Sequence, residues 1–300
     1  MRNEISRLLL ATQALEIAPE GQVFWYTSGT VGPFYLNAHF LYGSRQKAEE
    51  LLAFIDQNSA DRTHLLAGLW ARVQKNYAED SGYRAVIDAV VAWAEDRFGL
   101  DQIDYVSGGE RRDWFFSLLA AKRLNKPALA LFKDQSAVVI AEKDRAEERL
   151  AVATELRGAR VFHVADLVTE ASSYVRAWLP AVQDRGGKLE WAMNVVDRGQ
   201  GGEEILQQHG VAAHHLIQLG PAFFEELEKA GYLSQATAQR LMAYHRQPRE
   251  SMKKFLEEHP EVLREALQGE DTKIRQRGRQ LLEQNPYGFA EEFLARFRGQ

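Results

Sequence analysis

The sequence predicts an α/β protein: a largely parallel sheet flanked by helices, with a helical insertion before the sheet and a helical extension after it. Three observations carry this. From Ile103 onward, short apolar runs alternate with stretches of helical period, the pattern of strand-helix-strand units. Residues 44–98 instead carry apolar side chains at the three-to-four spacing of amphipathic helices. After Gly220-Pro221 the strand-like runs stop and only helical periodicity continues.

Taken in order, the N-terminal segment (1–44) opens with a helix over about Asn3 to Ile17. An extended stretch from Gln22 to Phe40 follows, rich in aromatic and turn residues. The insertion (45–100) puts Leu51, Phe54 and Ile55, then Leu65, Leu69 and Val73, then Val86, Val90 and Trp93 on helix faces. In the core (101–220), strands are expected at Ile103 to Val106, Ala128 to Phe132, Ala137 to Ala141, Arg160 to Ala165, Leu189 to Val196 and His214 to Leu219. The extension (221–300) reads as helices over Phe223 to Leu233, Ser234 to Gln247, Arg249 to Glu258, Glu261 to Leu267, Asp271 to Gln284 and Phe289 to Phe297. Ser234 and Asp271 serve as N-caps there, and Pro248, Pro260 and Pro286 punctuate the run.

Composition excludes several functions. A net charge of −5 argues against a dedicated nucleic-acid binder. The chain has no cysteine, so disulfides, thiolate zinc sites and thiol nucleophiles are excluded. Arg2, Glu4, Arg7 and Glu16 interrupt the N-terminus, which lacks the apolar core of a signal peptide. No window approaches the roughly 18 uncharged apolar residues of a membrane span, and the expected compartment is the cytoplasm. His209, His214 and His215 suggest a metal, but adjacent strand residues face opposite sides, so His214 and His215 are expected to divide between core and surface. No metal ligand is expected among them. Lys273, Arg275, Arg277 and Arg279 read as a solvated helix face.

The richest chemistry lies between Arg160 and Leu206. A strand, the polar turn Asp166-Leu-Val-Thr-Glu-Ala-Ser-Ser173 and a helix from Tyr174 to Arg185 form a unit that holds phosphate on backbone N–H groups at a helix start. A second strand then ends in Asp197-Arg198-Gly-Gln-Gly-Gly202. Upstream lie Thr27-Ser-Gly-Thr-Val-Gly-Pro-Phe-Tyr-Leu-Asn37, the loop Ser107-Gly-Gly-Glu-Arg111 before the helix Trp114 to Leu124, and Lys133 at the end of the next strand. In this order the segments resemble the type I phosphoribosyltransferases. The Asp-Arg-Gly-x-Gly-Gly ending and the Thr27–Asn37 hood resemble the orotate phosphoribosyltransferase branch.

The resemblance implies that fold and a reaction in which a pyrimidine-like base displaces pyrophosphate from C1 of phosphoribosyl pyrophosphate (PRPP), with Mg²⁺, in nucleotide metabolism. It implies that Asp166 holds ribose hydroxyls, that Thr169, Ser172 and Ser173 hold the 5-phosphate, and that Arg111 and Lys133 hold the pyrophosphate. Phe34, Tyr35 and Arg198 would meet the base. It also implies a homodimer binding PRPP or a nucleotide, with no membrane and no nucleic-acid partner. The sequence departs from the family at defined points. Ala165 stands where the first of two adjacent acidic residues belongs, Glu170 where a small or hydroxyl residue is usual, and Ala171 in place of a glycine. Thr27 and Thr30 replace cations. The mobile-loop run Lys-x-x-x-Lys-Asp-His-Gly is missing, and Lys143 of Lys143-Asp144-Arg145 is its nearest analogue and, beside Asp166, the other candidate catalytic residue. Weakened or altered transfer is expected; the alternative is a non-catalytic protein that senses PRPP or a nucleotide, or scaffolds a partner.

Overall fold

The computed structural model describes residues 2–143 and 147–297. They divide into two compact units, Met1–Ala14 with Asn37–Leu219, and Leu15–Leu36 with Gly220–Gln300. In chain order the elements are α1 (Arg2–Ala11), β1 (Leu15–Ile17), β2 (Phe24–Trp25), β3 (Val31–Gly32), β4 (Phe34–Leu36), α2 (Arg45–Gln57), α3 (Arg62–Glu79) and α4 (Ser81–Arg97). There follow β5 (Tyr105–Gly109), α5 (Trp114–Arg123), β6 (Ala128–Leu131), β7 (Ala137–Lys143), β8 (Glu147–Val152), β9 (Arg160–Val168), α6 (Leu179–Gln183), β10 (Lys188–Asp197), α7 (Gly202–Gln208) and β11 (Ala212–Gln218). The chain closes with α8 (Pro221–Lys229), α9 (Gln235–Arg246), α10 (Pro248–Glu258), α11 (Pro260–Gln268), α12 (Thr272–Gln284) and α13 (Glu291–Ala295). No helix among the described residues is long and apolar enough to cross a membrane.

The first unit is built on a seven-stranded sheet of order β11-β10-β9-β5-β6-β7-β8. β11, β10, β9, β5 and β6 run parallel, and β7 and β8 are antiparallel additions at one edge. Both faces are covered, so β6 is buried at all four residues and β9 at all but Arg160 and Leu167. From β5 the chain steps to one side (β6) and from β9 to the other (β10, β11). The switch point therefore lies between the C-terminal ends of β5 and β9, where a doubly wound sheet opens a crevice.

The compact units cut across the four sequence segments. The insertion belongs with the sheet: its helices start at side-chain caps from Ser44, Asp61 and Asp80. The Trp93 ring of α4 stacks on Phe162 of β9 at 6.3 Å, and the Tyr83 hydroxyl donates to the Phe115 carbonyl of α5. The first helix is shorter than its pattern predicts. It ends at Ala11, Gln13 takes a left-handed φ of 60°, and Leu15–Ile17 pairs antiparallel with Phe34–Leu36. A strand the periodicity does not reveal is β8, a charged edge strand paired with β7 from Val138↔Val152 to Lys143↔Glu147.

In the second unit the hood segment forms two small hairpins packed among the C-terminal helices. Phe34, 3% exposed, meets the Tyr244 ring edge-on at 5.6 Å and Phe224 at 6.2 Å. The Tyr287 hydroxyl accepts from the Val31 N–H at 2.8 Å, and Arg277 donates to the Trp25 carbonyl at 2.7 Å. Arg275 likewise donates to the Gly269 carbonyl at 2.6 Å, so two members of the expected solvated basic face are tied into the fold.

Candidate functional site

At the switch point lies a cleft of about 470 Å³, lined by the loop after β5, the end of β6, and the end of β9 with its following turn. On the β5 side the Gly108-Gly109 pair has a steric reason. A Cβ on Gly108 would lie 2.0 Å from the Ser117 Oγ, and one on Gly109 2.2 Å from the Trp178 ring. The Glu110 N–H donates to the Leu131 carbonyl at 2.8 Å, and its carboxylate accepts from the Lys133 N–H at 3.1 Å, tying this loop to the end of β6. The Glu110–Arg111 peptide is cis. Arg111 is held by both carboxylate oxygens of Asp56 from α2. Arg62 of α3 lies over the Phe132 ring at 4.1 Å and pairs with Asp134. The insertion thus braces two of the loops that line the cleft.

On the other side β9 runs three residues further than expected, through Asp166 to Val168. Thr169 and Glu170 form the bend, and Ser172-Ser173 already lie in a helix that passes through a π turn into α6. Ala171 adopts the left-handed φ of 48° that a glycine takes without strain, which costs an alanine about 1–2 kcal/mol. Glu170 is exposed at the cleft edge. The glycines of Asp197-Arg198-Gly-Gln-Gly-Gly serve the backbone. The Asp197 carboxylate accepts from the Gly199 N–H at 2.8 Å, and Gly201 holds a φ of 86° before α7. A Cβ on Gly202 would lie 2.7 Å from the Thr169 carbonyl oxygen, so this glycine lets α7 approach the β9 turn.

The cleft floor carries a buried acidic pair. Asp166 (6% exposed) donates its N–H to the Asp113 carboxylate at 3.2 Å, and the second Asp113 oxygen accepts from the Gly109 N–H at 3.0 Å. Behind them, His163 Nε2 is 3.4 Å from Asp113, and its Nδ1 is 2.9 Å from the Ser107 hydroxyl. His39 Nδ1 lies 4.0 Å from Asp166. Burial first, and then the Asp113 charge, push the Asp166 carboxyl well above the usual carboxylate range; Arg112 opposes them. Burial, with Arg112 and then Arg111 adding to it, pulls His39 down to about 3, so it is neutral at pH 7.

No protein-family model matches the chain. Over 57 residues, 19% of its length, it is 40% identical to orotate phosphoribosyltransferase of Methanopyrus kandleri, and this stretch spans 31% of that enzyme. In structure it resembles Leishmania donovani UMP synthase, with a TM-score of 0.53 and 14% identity over 81% of this chain and 42% of the other. It also resembles orotate phosphoribosyltransferase of Francisella tularensis, with a TM-score of 0.50 and 12% identity over 80% and 96% of the two chains. The fold is that of the type I phosphoribosyltransferases. The chain spans less than half the length of the first of each kind of relative, the Methanopyrus enzyme and UMP synthase.

Of the residues the phosphoribosyltransferase resemblance assigns to PRPP, the structure brings together Arg111, Lys133, Asp166, Thr169, Ser172 and Ser173, all lining the one cleft. Arg198 is half-buried beside it, its N–H bonded to the Val168 carbonyl at 3.0 Å. Lys143 is not brought there within this chain. β7 begins at the cleft end, opposite Leu131, and its register runs past Ala128, carrying the Lys143 backbone roughly 20 Å along the strand. Asp144 and Arg145 lie outside the described residues. Phe34 belongs to the core of the second unit rather than to an open ring surface, and Tyr35 is half-buried between Phe24 and Tyr26, at 5.8 and 5.9 Å. His214 and His215 contact opposite neighbours, Trp93 at 4.6 Å and Glu203 at 2.7 Å, but both are half-buried. Asp197, Glu203 and His215 gather one donor atom each within 4.8 Å, yet these atoms already bond one another or the nearby Gly199 and Gln218. Sequence reasoning missed Arg112, Asp113, His39 and His163. The legible signal was Asp113, an acid directly after two arginines at a helix start.

Proposed function

We propose that the cleft binds PRPP, or a nucleotide sharing its phosphoribosyl group, and that the protein transfers this group to a pyrimidine-like base with weakened or altered activity. The observation that supports this most is the convergence of Lys133, Arg111 and Arg112 with Asp166 and the Thr169–Ser173 turn on one cleft of about 470 Å³ at the sheet's switch point. Cations on one side and backbone N–H groups at a helix start on the other suit a ligand with phosphate at both ends. In the reaction a base nitrogen bonds to C1 as the C1–O bond breaks, and pyrophosphate leaves with the electron pair. Lys133, Arg111 and Arg112 stabilise the charge it gathers. The hard oxygen donors lining the cleft are Glu110, Asp113, Asp166 and Glu170, and Mg²⁺, if held there with pyrophosphate, would supply further neutralisation. By the same resemblance the working unit is a homodimer.

A calorimetric titration with PRPP, with and without Mg²⁺, tests the reading. Micromolar, Mg²⁺-dependent binding supports it, and silence at millimolar PRPP sinks it. A non-catalytic sensor of PRPP or a nucleotide is the second reading. It is favoured by the course of β7, which leads Lys143 away from the cleft, and by the missing carboxylate at Ala165. Release of pyrophosphate with a panel of bases separates the two.

A further inference from the structure

Arg111 lines the cleft, yet its guanidinium is already engaged by an acid from another part of the chain. Both carboxylate oxygens of Asp56 accept from the Arg111 Nη1. Asp56 sits in the last turn of α2 and is not one of the residues that line the cleft. We propose that Asp56 is an internal competitor for the anionic ligand: Arg111 exchanges between Asp56 and a diphosphate group. The pair keeps Arg111 from anions too weakly charged to displace a carboxylate. This rests on the phosphoribosyl reading of the cleft and adds a regulation of its pyrophosphate side.

Four observations carry the assignment. The first is chemical equivalence. A guanidinium meets carboxylate and phosphate oxygens with the same N–H donors, so the Asp56 carboxylate takes the nitrogen that a phosphate would use. The second is where the acid stands. The last carbonyls of a helix carry partial negative charge and disfavour a carboxylate beside them, and α2 has no basic residue in its last turn. Asp56 therefore answers to Arg111 rather than to its own helix. The third is that the contact can open without undocking the corner between α2 and α3. Arg62, at the start of α3, pairs with Asp134, donates to the Ser136 hydroxyl and lies over the Phe132 ring at 4.1 Å. That anchor on the turn after β6 is independent of Asp56, so the exchange moves one side chain and leaves both helices in place. The fourth is strength. The Arg111 and Asp56 side chains are 32% and 55% exposed, and an ion pair so open to water is weak enough to exchange. Arg112 and Lys133 line the same cleft, so a diphosphate has other cations to hold it while Arg111 changes partner.

The experiment titrates inorganic pyrophosphate and ribose 5-phosphate into the wild-type protein, Asp56→Asn, Arg111→Gln and the double variant. Asp56→Asn keeps the shape of the exposed side chain and removes its charge. It is expected to bind pyrophosphate about 3- to 10-fold more tightly than the wild type at low salt, the range for releasing an exposed ion pair. Ribose 5-phosphate, held by the Thr169–Ser173 turn, is expected to change by less than about twofold. In the Arg111→Gln background the gain from Asp56→Asn should vanish, because the two residues act as one pair. A gain that persists there reflects bulk charge near the cleft and overturns the competition. Equal pyrophosphate affinities in the wild type and Asp56→Asn, even if the melting temperature falls, show a purely structural pair and overturn it as well. Weaker binding by Asp56→Asn shows that Asp56 holds Arg111 ready for the ligand, which reverses the proposal. In each of these cases the phosphoribosyl reading stands. If neither ligand binds the wild type or Asp56→Asn, that reading falls and the competition falls with it.

Discussion

Asp166 was legible in the sequence as a carboxylate after a strand; its surroundings were not, because Asp113, His39 and His163 come from three separate segments that only the fold unites. Those surroundings set its titration. The folded-state pKa is raised, chiefly by burial and then by Asp113, so the folded protein holds a proton that the unfolded chain has already released. Stability from this group is therefore present below the ordinary carboxylate pKa and lost as pH rises through the raised one. Asp166→Asn removes the titration. In melting curves at pH 5 and pH 8, the wild type should lose about 2–4 °C relative to the variant on going to pH 8, the response to ~1 kcal/mol in a domain of this size. A wild type that gains with pH instead would mean that the carboxylate is ionised and paired. Glu170 poses the opposite case: exposed at the cleft edge, it would meet the phosphate proposed for this cleft through water. Like charges at ~4 Å repel by about 1 kcal/mol there, so Glu170→Ser should tighten phosphate binding about fivefold. That gain should shrink in 0.5 M salt, which screens exposed charges. Equal affinities at low salt would show that Glu170 turns away from the ligand.

At the scale of elements, the parallel strands and the C-terminal helices were readable because their faces are buried in the patterns that periodicity detects. β9 and β6 are nearly continuous apolar runs, and α8 to α12 open at prolines, Ser234 or Asp271. What was hidden lacks such a signature. β8 is an edge strand whose charged Glu147-Glu148-Arg149 gives no alternation, and β1 to β4 are two or three residues long, too short for a period. The junction of β5 and α5 was legible as a Gly-Gly turn, but the need for glycine there arises from Trp178, sixty-odd residues away. Gly109→Ala would push a methyl to within 2.2 Å of that indole, which is itself buried. Overpacking of this kind costs about 1–3 kcal/mol, and here it also displaces a wall of the cleft. Chemical denaturation should show that loss, together with weaker binding of the PRPP proposed for the cleft. Gly158→Ala, with nothing near its Cβ, serves as the comparison: its penalty comes only from its φ of 78°. Equal losses in the two variants would mean that contact with Trp178 is not what fixes Gly109.

At the scale of the whole molecule, the sequence separates an N-terminal hood from a C-terminal helical extension, whereas the structure joins them in one unit, Leu15–Leu36 with Gly220–Gln300. No local pattern announces this, because the joining contacts span more than two hundred residues. Tyr287 is central to them. Its hydroxyl accepts from the Val31 N–H at 2.8 Å and is 3.3 Å from the Val31 carbonyl, and both residues are buried. Burial pushes this hydroxyl up to about 12, so it remains a neutral donor and acceptor at working pH. Tyr287→Phe keeps the ring and leaves the Val31 N–H buried without its partner, a loss of about 1–3 kcal/mol. Because the hood strands are so short, that loss should fall first on the hairpin they form. Limited proteolysis should then cut the variant at the exposed Thr27-Ser28 of the turn at least several-fold faster than the wild type. Amide exchange over β9 and β10 should stay unchanged, since those strands belong to the other unit. If cleavage rises equally in both units, Tyr287 stabilises the chain as one cooperative body. If it rises in neither, the hood is held by Phe34 against Phe224 and Tyr244 instead.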